Sequence, residues 1–78
     1  MSEPGRFERG VGWRIAYFRR RAGLSQDALA KKLGVSRSTV ARFEDGKVPM
    51  TRLPQICEAV SRPDRVVVPE DLIPLEFR

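Results

Sequence analysis

Arg37, Ser38 and Arg42 are the side chains whose types and spacing suit chemistry with a ligand. They lie in the run RSTVARFE, where Val40 and Phe43 mark the buried side of a helix. On that helical wheel Ser38, Ala41, Arg42 and Asp45 face solvent, with Arg37 on the flank of the first turn. A guanidinium is a planar fork shaped to bond O6 and N7 of guanine together, and a hydroxyl can bond either a base edge or a phosphate. The outward face is therefore equipped to read bases in a groove of duplex DNA. Lys47, just past the helix, is placed to meet phosphate, a contact that positions without carrying sequence information.

No comparable set suits catalysis. The chain has no histidine, one cysteine, no carboxylate cluster at ligand spacing and no glycine-rich phosphate loop. The expectation is a protein that is not an enzyme, with no catalytic residue, no metal and no other cofactor. Cys57 has no partner for an intrachain disulfide and nothing nearby to activate its thiol, so it reads as packing. With no signal peptide and no long apolar run, the expected location is the reducing cytoplasm, on the nucleoid and away from membranes.

The elements that must hold the arginines follow from the stretch Ser25 to Gly46. Ser25 is a suitable N-cap and Asp27 suits the positive end of a helix dipole. Leu29, Ala30 and Leu33 fall on one helical face, and Gly34 follows where a left-handed residue would end the helix. Val35 plugs the turn, Ser36 caps again, and Glu44, Asp45 and Gly46 close the second helix. A small residue where the helices cross, a glycine at the reversal and a β-branched plug together describe a helix-turn-helix that offers its second helix outward.

Around this pair, residues 1–9 read as a flexible arm, either without function or with Arg6 and Arg9 reaching into a minor groove. Val11, Ile15, Phe18 and Ala22 define a first helix over Val11 to Ala22. Trp13 and Tyr17 lie off its apolar stripe and either pack over the core edge, the favoured reading, or cover a partner surface. A further helix begins near Thr51, with Pro54 tolerated in its first turn and Leu53, Ile56 and Val60 facing the core. The domain proper spans residues 10–62. In the tail, residues 63–78, Val66 to Val68 have strand character, Pro69 to Leu72 suit a helical turn, and Ile73, Leu75 and Phe77 alternate with Pro74, Glu76 and Arg78 at the period of a strand. That apolar tail either packs on its own core or pairs with a second copy. Pairing is favoured because one helix-turn-helix reads too few base pairs to find a site in a genome.

Charge is distributed to match. The net charge is +5, yet Arg9 to Arg52 carries eleven basic against three acidic residues, a net of +8, while Leu53 to Arg78 carries three against five, a net of −2. The basic part coincides with the helix-turn-helix, as a polyanionic partner would require.

The segment SQDALAKKLGVSRSTVARFEDGK resembles the helix-turn-helix of the Cro and phage-repressor family, also called XRE or lambda-repressor-like. The likeness rests on Ser25-Gln26, Leu29-Ala30, Leu33-Gly34, Val35-Ser36, Val40, Glu44 and Gly46. It extends upstream to Ile15, Phe18 and Arg19 and downstream through Arg52-Leu53-Pro54 to Ala59-Val60. It implies an all-α, lambda-repressor-like domain of four or five helices, with a short C-terminal strand as an option. It also implies base contacts from Arg37, Ser38, Thr39 and Arg42, a phosphate contact from Gln26, and an ion pair between Arg19 and Glu44 that braces the second helix. Arg20 and Arg21 either meet phosphate or are simply solvated.

The resulting expectation is a homodimer that binds a palindromic double-stranded operator and represses transcription by occluding a promoter. Ile73, Leu75 and Phe77 would supply its pairing surface. The rival readings are an antitoxin or similar module gripping a protein partner through that tail, a restriction-modification controller, and an adaptor that never touches DNA.

Overall fold

The computed structural model describes residues 4–78. Helix α1 runs Arg6–Arg21, α2 Gln26–Leu33, α3 Arg37–Glu44 and α4 Leu53–Val60, with 3-10 turns at Met50–Arg52, Pro69–Leu72 and Leu75–Phe77. α3 packs on both α1 and α2, and α4 packs against α2 and, less extensively, α1. Val11, Ile15, Leu29, Val40, Ile56 and Leu72 are fully buried and form the centre of one core.

The local signals act as their chemistry dictates. Ser25 Oγ accepts from the Ala28 amide at 3.0 Å and Ser36 Oγ from the Thr39 amide at 3.2 Å, so each helix of the pair has one orphan donor satisfied at its start. Gly34 ends α2 at φ +71°, and the Val35 amide returns to the Ala30 carbonyl at 3.0 Å. That left-handed residue lets α3 leave the turn at once.

Two departures from the sequence reading share one cause. The first helix begins at Arg6, five residues before Val11, so residues 6–9 are helical where a flexible arm is expected; residues 1–3 of that arm lie outside the described residues. The first turn is held locally, with Glu8 Oε1 accepting from the Gly5 amide at 3.0 Å. It is also held by the far end of the chain. Phe7 meets Phe77 edge to face at 5.2 Å, Arg6 pairs with Glu76 at 2.7 Å, and Pro74 lies so close to Gly10 that a side-chain carbon there would overlap its ring.

The C-terminal segment, correspondingly, is not a strand. Val67 and Leu72 enter the same core as the helices, Pro74 is buried, and the residues around them close as 3-10 turns, with Asp71 N–H donating to the Val68 carbonyl at 2.8 Å and Phe77 N–H to that of Pro74 at 2.9 Å. Among the described residues the β content is a single isolated bridge between Arg62 and Arg65. Alternation at Ile73, Leu75 and Phe77 therefore does not give one shared face. Ile73 packs against the core, Phe77 covers Phe7, and Leu75 is exposed.

Candidate nucleic-acid interface

The candidate site is built on α3, whose inward and outward faces are treated differently. At the C-terminal end Glu44 is fixed by side chains from two other elements, α1 and α2. Arg19 Nε donates to Glu44 Oε2 at 2.5 Å and Arg19 Nη2 to Oε1 at 3.2 Å, while Gln26 Nε2 donates to Oε1 at 3.0 Å. The third guanidinium nitrogen, Nη1, donates to the Leu24 carbonyl at 2.9 Å. The Arg19 and Glu44 side chains are only 10% and 9% exposed. A buried charge pair of this kind holds only with good geometry and further hydrogen bonds, and here the fork is bidentate and the carboxylate has an additional donor. The network ties the end of α1, the start of α2 and the end of α3 together.

Backbone contact reinforces this junction. A side-chain carbon at Gly12 would come within 2.5 Å of the Glu44 carbonyl oxygen, and one at Gly46 within 3.0 Å of the Glu8 backbone. Gly46 also sits at φ +101°, where the chain turns out of α3. α1 therefore crosses the end of α3 backbone to backbone. The wheel of α1 gave Gly12 no role; its signal was a glycine beside the apolar stripe, next to Val11.

On its outward face α3 is open along its length. Arg37, Ser38 and Arg42 are exposed, and Thr39 is half-buried. Ser36 Oγ lies 3.0 Å from Ser38 Oγ and 2.9 Å from Thr39 Oγ1, so the three hydroxyls form a cluster around the N-cap. Among the described residues neither Arg37 nor Arg42 makes an ion pair, and both retain their donors for an outside acceptor. Lys47 and Arg20 are exposed as well. Gln26 is half-buried, and its inward bond to Glu44 uses one amide proton and leaves the other. The sites expected of Arg19, Gln26 and Glu44 are thus brought together in space, and Arg37, Ser38 and Arg42 share the outward part of α3. Ile73, Leu75 and Phe77 are not brought together.

No group of three or more metal-ligating side chains occurs among the described residues. Burial, reinforced by the charge of Asp71, pushes the Cys57 thiol up to about 11, so it stays protonated and inert near neutrality. No helix among the described residues is long and apolar enough to cross a membrane.

An all-α domain with an outward, cation-bearing second helix defines a class of duplex-DNA reader. A sequence profile of the helix-turn-helix domain matches residues 11–67. The chain belongs to that helix-turn-helix family, within the XRE-like superfamily that includes the Cro-type domains. Its fold is the all-α, lambda-repressor-like one. Families of this kind bind DNA as regulators and are typically not enzymes. No curated protein and no solved structure matches the chain.

Proposed function

We propose that this chain is a sequence-specific transcriptional repressor that acts as a homodimer on a two-fold symmetric operator in the cytoplasm, on the nucleoid. The observation that carries the reading is the pair of exposed, carboxylate-free guanidinium groups of Arg37 and Arg42 on the outward face of a helix locked from behind, at Glu44, by the Arg19–Glu44–Gln26 network. Rigid support matters because base readout is bidentate and tolerates little angular play.

Arg37 and Arg42 take guanine edges, Ser38 a base edge or phosphate, and Thr39 a thymine methyl. Lys47, Arg20 and the outward amide proton of Gln26 hold phosphates and supply salt-dependent affinity by counterion release. Pairing of two copies runs through the Phe77 end of the tail, with Leu75 at its edge; both are exposed, whereas Ile73 faces the chain's own core. Half-sites then lie about 10 base pairs apart, and the bound dimer occludes the promoter.

Selection of duplexes from a random pool tests this directly. The reading expects an enriched two-fold motif, and light scattering expects a mass twice that of the 8.9 kDa chain. Recovery of unselected sequences, or binding insensitive to salt, would overturn it.

A further inference from the structure

One exposed face is left over from duplex recognition. Trp13 is 60% exposed and Leu75 70%, and with Tyr17 they border a groove of about 260 Å³ between α1 and the C-terminal segment. Solvent-facing apolar groups gathered round a concavity, in a molecule of this size, mark a contact surface rather than a scatter of single side chains.

The cations around the groove indicate what fits there. Trp13 and Tyr17 stack at 5.6 Å and 11°, the Arg14 guanidinium lies 5.9 Å from the Trp13 ring centre, and that of Arg21 lies 5.9 Å from the Tyr17 ring. Arg65 stands over Phe18 at 5.2 Å. Among the described residues Arg14 and Arg21 have no carboxylate partner, and Arg65 reaches Asp71 only at 3.8 Å. Arg14, Arg65 and Arg78 line the groove against the single carboxylate of Asp71, so the rim is net positive, and the floor is aromatic and aliphatic.

We propose that this groove docks a short acidic peptide segment, an aromatic or aliphatic side chain of the segment seating between Trp13 and Leu75 while its carboxylates meet Arg14 and Arg65. A stacked nucleic-acid base fits less well, because the Trp13 and Tyr17 rings already stack on each other and each has a guanidinium within 5.9 Å of its centre. A second copy fits less well too, because two-fold pairing here would set the same arginines against each other. The proposal stands apart from operator recognition by α3 and shares one residue, Leu75, with the pairing surface.

Trp13 is the only tryptophan, so its emission reports on this face alone. The test displays a library of random twelve-residue peptides on phage and selects on the full chain, then titrates the best synthetic binder while following Trp13 emission. Recovered peptides should combine Asp or Glu with an apolar anchor and give a saturable emission shift. Leu75→Glu, at an exposed position, should weaken binding about ten-fold and Arg14→Glu about five-fold, and a lysine-for-glutamate version of the peptide should not bind the parent chain. The proposal is overturned if no acidic sequences are enriched or if binders ignore both substitutions. It is also overturned if emission shifts instead with random duplex DNA, or if the peptide gives no further shift at a protein concentration where the scattering mass is constant.

Discussion

Arginine does opposite work behind α3 and on its outward face. Arg19 is buried and uses three nitrogens on Glu44 and the Leu24 carbonyl, whereas Arg37 and Arg42 are exposed with no carboxylate in reach. The first makes the helix rigid, and the others are left available. What separates the roles is the partner set, since the side chain is the same: a guanidinium enclosed with a carboxylate is structural, and one kept solvated on a braced helix is poised for an outside acceptor.

The contrast breaks most visibly at Glu44. Glu44→Ala leaves Arg19 buried and unpaired and should lower unfolding free energy by about 3–5 kcal/mol, read by urea denaturation. Should the loss stay below about 1 kcal/mol, the network would be no more than a surface pair. Gly12→Ala attacks the same junction through the backbone and should cost about 1–3 kcal/mol, because its methyl must push α1 off the end of α3. DNA affinity should fall with stability in both variants.

Between those losses and the effects of surface charge lies the thiol. Cys57 titrates near 11 in the folded chain against an ordinary 9.0, so folding is stabilised below pH 9 and that part is lost as pH rises from 9 through 11. The sign follows from the unfolded thiol releasing its proton first. Cys57→Ala should flatten the fall in stability across that window by about 2–3 kcal/mol, as measured by denaturation at fixed pH steps. An unchanged slope would show that the thiol is not shielded. Lys47→Ala should do least, leaving base preference intact and reducing the slope of log affinity against log salt by about 1.

What could be read in the sequence was what is local. Ser25, Gly34 and Ser36 act within a few residues of their own positions, so the two helices of the pair and the turn between them follow from spacing alone. The Arg19–Glu44 pair spans twenty-five residues, and it was legible through a family likeness rather than through any periodicity. The ends of the chain were opaque for a different reason. Phe7 needs Phe77, Arg6 needs Glu76 and Gly10 needs Pro74, and no local pattern encodes a contact between the two termini. The strand-like period of Ile73, Leu75 and Phe77 was undone by Pro74, which is buried against α1 and starts a 3-10 turn where a sheet partner is lacking.

The central claim is that the outward face of α3 chooses the sequence while the Glu44 network behind it only supports that face. Selecting bound duplexes from one random pool with the parent chain and with Arg42→Ala tests it most directly. The account predicts equal stability to within about 0.5 kcal/mol and the same motif relaxed at one base pair per half-site, with discrimination there reduced by about 1–3 kcal/mol. An unchanged motif at every position, or a uniform loss of affinity for all sequences, would contradict it.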